Sequence, residues 1–226
     1  MEPEKLNIAI NDRESVSALF YSAAKRARTG VTLILGHGAG ANQLSSFMVM
    51  AAGGLSTRGF DVMTFNFLYM EQKRHIPDPK ARLESCYQAV IETALGHRKL
   101  KKNRLVIGGK SMGGRIASQV AAIAPEGIRG LVFLGYPLHA PGRPDKLRAD
   151  HLPDIKVPML FVQGARDAFG SEAEISTIIK TLHLPATLFA IEGADHSFKV
   201  PKRVGVPQAT VYEMIMDKTT EWVATI

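Results

Sequence analysis

The chain has 226 residues, a formal charge of +7 and 46% hydrophobic residues, and its only cysteine, Cys86, excludes an internal disulfide. A chain this long buries about 70–75% of the surface that its unfolded form exposes, so one core without staples is expected and residues 1–226 read as a single domain. The start, Met1-Glu2-Pro3-Glu4-Lys5, lacks the pattern of a signal peptide, and no apolar run approaches the roughly 20 residues that cross a bilayer; the expected location is the cytoplasm, with no membrane partner.

In chain order, residues 6–10 alternate apolar and polar, and residues 16–21 form a second apolar run after the turn-like Asn11-Asp12-Arg13; together they read as an antiparallel pair. After the basic link Lys25-Arg26-Ala27-Arg28, Val31 to Leu35 reads as a strand buried on both faces, which belongs in a parallel sheet. Leu44, Phe47, Ala51 and Leu55 mark a helix closed near Gly59, Asp61 to Phe67 the next strand, and Leu83, Tyr87, Val90 and Ala94 another helix. The basic run from His97 to Arg104 carries no interleaved aromatics and reads as a solvated loop, which argues against nucleic acid as a partner.

Leu105 to Gly108 then reads as a strand that breaks into glycines and leaves as a helix carrying Ile116, Val120 and Ile123, stopped by Pro125. Gly130 to Gly135 and Val157 to Val162 read as further strands. Ser171 and Glu174 form a capping box ahead of Ile175, Ile178 and Leu182. A last strand over Ala186 to Ile191 leads to a closing helix with Pro207 near its start and Val211, Ile215 and Trp222 in the core. Such alternation implies a three-layer α/β fold with a mostly parallel sheet.

The strand-to-helix junction contains Gly109-Lys110-Ser111-Met112-Gly113, a Gly-x-Ser-x-Gly motif in which a sharp turn presents the serine hydroxyl above the sheet. The backbone N–H of Met112, at the start of the helix, is free to donate to an oxyanion forming beside Ser111. Gly109-Lys110-Ser111 also looks like the tail of a phosphate-binding loop, but that loop needs a glycine where the chain has Arg104. In open α/β sheets ligands sit beyond the C-terminal strand ends. After the strand ending at Leu35 comes Gly36-His37-Gly38-Ala39-Gly40-Ala41, where Ala39 is read as the second oxyanion donor and Gly40 as its neighbouring candidate and a substrate contact. The same loop fits an alanine-ended dinucleotide fingerprint, yet the following strand ends Asn66-Phe67-Leu68-Tyr69 without the acid that would hold a ribose.

In this arrangement the chain order is serine, acid, histidine, and His196 alone among seven histidines follows the last strand; it is read as the general base. Asp167, just past the strand that starts at Val157, is read as the acid that orients it, with Asp195 as a rival placed too close in sequence to reach the ring. His37 is expected to brace its own loop, and His139, just after a strand, to line the pocket. His75, His97, His151 and His183 read as surface or loop residues.

With these residues in hand, the chain resembles the α/β-hydrolase superfamily. More narrowly it is similar to the small group around bacterial dienelactone-hydrolase-like proteins and the animal testis-expressed protein 30, through His37-Gly38-Ala39-Gly40, Phe65-Asn66-Phe67, Gly109-Lys110-Ser111-Met112-Gly113-Gly114-Arg115, Gly135-Tyr136-Pro137-Leu138-His139 and the Asp167 and His196 loops. The resemblance implies a serine-hydrolase triad of Ser111, Asp167 and His196 on a fold without a large lid domain. Dienelactone hydrolases use a cysteine nucleophile where this chain has Ser111, so lactone cleavage does not carry over. Lys110, a basic neighbour of the nucleophile, reads either as packing or as attraction for an acidic substrate. The expected chemistry is hydrolysis of a small acyl ester or thioester through an acyl-enzyme, with neither metal nor organic cofactor; a peptidase or amidase on the same triad and a non-catalytic binding module are the alternatives.

Overall fold

The computed structural model describes residues 2–24, 26–124 and 126–226; the helix stop expected at Pro125 lies outside them. Eight strands form one sheet, β1 (Glu4–Ala9), β2 (Ser15–Tyr21), β3 (Val31–Gly36), β4 (Asp61–Phe65), β5 (Arg104–Lys110), β6 (Ile128–Leu134), β7 (Met159–Gly164) and β8 (Ala186–Ile191), in the order β1-β2-β4-β3-β5-β6-β7-β8. β2 runs antiparallel to both β1 and β4, and every other neighbouring pair is parallel. The helices are α1 (Ser46–Thr57), α2 (Leu68–Glu71), α3 (Lys80–Gly96), α4 (Met112–Ile123), α5 (Glu172–Thr181) and α6 (Gln208–Val223). None is long and apolar enough to cross a membrane.

The central strands are apolar without a break because each is covered on both faces. Ile34, Met63, Ile107, Leu131 and Phe161 pack with Leu83 and Tyr87 of α3 and Ile116 and Val120 of α4. The alternate residues Leu33, Val62, Val106, Val132 and Leu160 face the other way, against Leu55 of α1 and Val211, Ile215 and Trp222 of α6. Each such aliphatic side chain contributes about 1.5–3 kcal/mol by leaving water. The topology puts the C-terminal ends of β3, β5, β6, β7 and β8 along one edge, and every candidate site residue lies at those strand ends, in the loops leaving them or at the start of α4.

Several boundaries differ from the sequence reading, each for a local reason. β4 stops at Phe65, two residues early: Asn66 still donates to the Ser17 carbonyl of β2, but the Phe67 N–H turns to the His37 ring and the short α2 begins at once. Leu44 precedes α1 and is 66% exposed, and Ile123, in the last turn of α4, is 71% exposed; neither joins the core. β7 opens at Met159, since Pro158 has no N–H for the ladder and only its carbonyl accepts, from Leu131. The basic run is a loop whose Leu100 is buried while Lys99 pairs with Glu4 at 2.6 Å. Between β6 and β7 the regular structure is the single turn Leu152–Asp154, so no lid domain covers the strand ends.

Candidate active site

Ser111 is the hinge between β5 and α4, with φ 50° and ψ −116°, a backbone state that L-residues rarely occupy. The turn is possible because glycines let three segments meet. A Cβ on Gly113 would lie 2.1 Å from the Gly36 carbonyl oxygen, and one on Gly109, at φ 148°, would lie 2.2 Å from it. The elbow is therefore pressed against the end of β3, which brings the loop after β3 beside Ser111.

From this perch the Ser111 Oγ lies 2.8 Å from His196 Nε2, and His196 Nδ1 lies 2.7 Å from Asp167 Oδ2. The Asp167 carboxylate can only accept here, so the imidazole proton sits on Nδ1 and Nε2 is left to accept from the serine hydroxyl. Asp167 is buried and held on both oxygens, Oδ1 by the Phe169 N–H at 2.8 Å and Oδ2 by Gln163 Nε2 at 2.9 Å as well as by the imidazole. The Phe169 ring lies over the imidazole at 4.2 Å between centroids. Asp195, the rival acid, is exposed and accepts instead from the N–H groups of Ser197 and Lys199 in its own turn.

The N–H of Met112 opens α4, and that of Ala39 sits in the loop after β3; among the described residues neither donates to a protein backbone acceptor. His37 fixes this loop from below. It is fully buried, its Nδ1–H donates to the Gly38 carbonyl at 2.9 Å and its Nε2 accepts from the Phe67 N–H at 3.1 Å, while burial pulls its pKa down to about 4 and keeps the ring neutral. The brace expected of His37 thus joins the loop to the chain leaving β4.

Two clefts open on either side of Ser111. One, of about 300 Å³, is lined by Met112, Arg115, Pro137, Arg148 and Phe169; the other, of about 270 Å³, by Ala41, Phe47, Met48, Lys110 and His196. Ala39 and Ser111 border both. The remaining expected contacts fall differently. Gly40 is the turn at the loop tip, with φ 73°, and lines neither cleft. His139 also lines neither: its Nε2 is 3.0 Å from Glu174 Oε1 and its backbone N–H donates to the Phe169 carbonyl, so the ring is drawn toward the first turn of α5 and away from Ser111. Lys110 does line a cleft, but its Nζ donates to the His196 carbonyl at 2.5 Å and stands over the Phe198 ring, and burial lowers its pKa to about 8 against the pull of Asp167 and Asp195.

Sequence reasoning missed Gln163, Phe169, Arg115 and Arg148. Gln163 carried a signal: it is the one polar side chain in the run Met159 to Gly164, at the strand end that faces the site. Among the described residues no cluster of three or more His, Cys, Asp or Glu side chains is placed to hold a metal ion.

The sequence profile of the alpha/beta hydrolase domain matches residues 29–224. The chain belongs to the alpha/beta hydrolase family. Solved structures share the fold at low identity. An α/β serine hydrolase without a lid from Xanthomonas campestris is 20% identical with a TM-score of 0.77, over 98% of this chain and 95% of that one. A dienelactone hydrolase from Anabaena variabilis is 21% identical at 0.77, over 100% and 99%. An α/β serine hydrolase homologue from Coxiella burnetii is 19% identical at 0.76, over 96% and 98%. These structures share the fold over nearly the whole of this chain; the narrower likeness to testis-expressed protein 30 rests on the sequence motifs alone.

Proposed function

We propose that the chain is a serine hydrolase that cleaves a small acyl ester or thioester through an acyl-enzyme. The observation that carries this reading is the unbroken run of hydrogen bonds from Ser111 through His196 to Asp167, at 2.8 and 2.7 Å. In the first half-reaction His196 Nε2 takes the hydroxyl proton as Ser111 Oγ attacks the carbonyl carbon, and Asp167 stabilises the imidazolium. The N–H groups of Met112 and Ala39 receive the developing oxyanion, a contribution of about 3–4 kcal/mol per donor in related sites. His196 then hands its proton to the leaving oxygen or sulfur, and water repeats the sequence to release the acid and restore Ser111.

Clefts of about 300 and 270 Å³, open to solvent, favour small substrates over long lipids. A single sheet from β1 to β8 supports reading residues 1–226 as one hydrolase domain, and the clefts beside Ser111 support a small molecule as its partner. The lone cysteine Cys86, buried and with its thiol pushed up to about 12 by that burial, suits a reducing compartment, and we assign the cytoplasm. The test is a screen of short-chain acyl esters and thioesters with the wild type and Ser111→Ala; turnover by the wild type that Ser111→Ala abolishes is expected, and equal rates for the two would overturn the reading.

A further inference from the structure

The two clefts beside Ser111 differ in charge. Arg115 follows Ser111 by one helical turn, so its side chain rises on the same face of α4 toward the cleft mouth. Arg148 reaches the same cleft from the segment after β6, with its backbone tied by its N–H to the Leu138 carbonyl and by its carbonyl to the Tyr136 hydroxyl, both at 2.7 Å. Two other charged residues line this cleft: Asp78, whose Oδ1 accepts from Arg74 at 2.6 Å while its Oδ2 is buried without a hydrogen-bond partner, and Lys80, paired with Glu84 at 3.5 Å. The two guanidiniums are not matched. Among the described residues neither has a carboxylate within ion-pair reach; the Nε of Arg115 is buried without any hydrogen-bond partner, and the Arg148 guanidinium donates only from Nη1, to the Pro137 carbonyl at 3.5 Å. Burial first, and the charge of Arg148 second, pull the Arg115 guanidinium below its usual pKa, against a smaller opposing influence of Tyr136 and Glu84. A half-buried pair of like charges with free donors is unfavourable by itself and is relieved by a bound anion.

Which half of a substrate would meet this pair follows from the proton transfer. The leaving oxygen must reach His196 Nε2, and His196 lines only the opposite cleft, so the leaving group lies there and the acyl chain lies toward Arg115 and Arg148. The cation of the leaving-group cleft, Lys110, is engaged by the His196 carbonyl.

From this placement we infer that Arg115 and Arg148 form a carboxylate-binding subsite for the acyl chain, so that the substrates are short half-esters or half-thioesters of dicarboxylic acids. This rests on the hydrolase reading above. The planar forks of two arginines match the two oxygens of a carboxylate, and in a half-buried cleft such charge-assisted bonds are the strong ones. The bond chemistry is unchanged: Ser111 Oγ bonds to the carbonyl carbon, the bond to the leaving oxygen breaks as His196 protonates it, and water then releases the dicarboxylate and returns the serine proton.

The experiment compares monoethyl glutarate with ethyl valerate, of the same acyl length but neutral, by titrating the acid released. The wild type is expected to favour the half-ester in kcat/KM by about tenfold or more, and Arg115→Gln with Arg148→Gln to lower that ratio by about tenfold or more, mainly through KM. An uncharged preference in the wild type, or a ratio that the double variant leaves unmoved, would overturn the inference. A second measurement does not depend on turnover: glutarate should slow labelling of Ser111 by a fluorophosphonate in the wild type and not in Arg148→Gln, and equal protection in both overturns the subsite. If valerate is cleaved and Ser111 is labelled while the half-ester is refused, the subsite alone fails; if neither ester is cleaved and Ser111 resists the label, the hydrolase reading fails with it.

Discussion

Gln163 Nε2 donates to Asp167 Oδ2 at 2.9 Å, and that oxygen is also the one facing His196 Nδ1. The same amide faces the carbonyls of Tyr136 and Gly170, at 3.2 and 2.7 Å, while its Oε1 accepts from the Tyr136 N–H at 2.8 Å. Two amide hydrogens shared among three acceptors tie the loops after β6 and β7 to the carboxylate. Gln163→Leu leaves several buried groups unpaired, and a stability loss of at least about 2 kcal/mol is expected from urea unfolding. Released from one of its holds, Asp167 should orient His196 less well, with kcat on a short ester lower by about tenfold; unchanged kcat would mean that Gln163 serves the fold alone.

Asp167→Asn tests the orienting carboxylate. An amide can present an N–H to Nδ1, which favours the tautomer with the proton on Nε2, unable to accept from Ser111. A loss on the order of 10⁴ in kcat is expected, with a lower melting temperature as well, since the amide NH2 meets the donors of Gln163 or Phe169 that the carboxylate accepted from. Loss below tenfold would point to another acid.

The elbow glycines make a paired prediction. Gly113→Ala puts a methyl 2.1 Å from the Gly36 carbonyl oxygen, in backbone that has no room to retreat, so failure to fold or a loss above about 3 kcal/mol is expected. Gly53 in α1 has nothing within 4 Å of its added Cβ, and Gly53→Ala should stabilise by about 0.5–1 kcal/mol through helix propensity. Thermal unfolding of both variants beside the wild type checks the contrast.

Acid should weaken the fold through His37. Its pKa is about 4 when folded because burial disfavours the imidazolium, against about 6.5 when unfolded, so between these values the unfolded chain holds the extra proton. Stability contributed by the neutral ring is full above about pH 6.5 and declines as pH falls toward 4, by up to about 3 kcal/mol. His151, half-buried with Nε2 2.7 Å from Ser118 Oγ and also lowered to about 4 mainly by burial, adds in the same direction. His37→Gln should therefore flatten, without abolishing, the fall in urea midpoint from pH 7 to pH 4.5; an undiminished slope would assign the acid sensitivity elsewhere.

The parallel sheet and the order of its elements were legible because strands covered on both faces must be apolar and the intervening helices show one apolar stripe. The positions of Ser111, Asp167 and His196 were legible because they follow β5, β7 and β8, where a parallel sheet gathers its loops. Side-chain direction in those loops was not. His139 follows β6 as the pattern demanded, yet its ring is held by Glu174, a residue whose role in the capping box was readable while its second partner was not. Arg148 was invisible for the same reason, since no periodicity governs the segment from Pro137 to Leu152 that carries it. Arg115 was visible in the motif, but its want of a partner is a property of the fold and not of the spacing.

The most direct measurement of the central claim is intact-protein mass spectrometry after treatment with a fluorophosphonate. One covalent adduct on the wild type, mapped to Ser111, is predicted, with none on Ser111→Ala and labelling slowed by about 10³-fold or more in His196→Ala. A wild type that stays unmodified, or that is labelled at the same rate without His196, would contradict a serine activated by that imidazole.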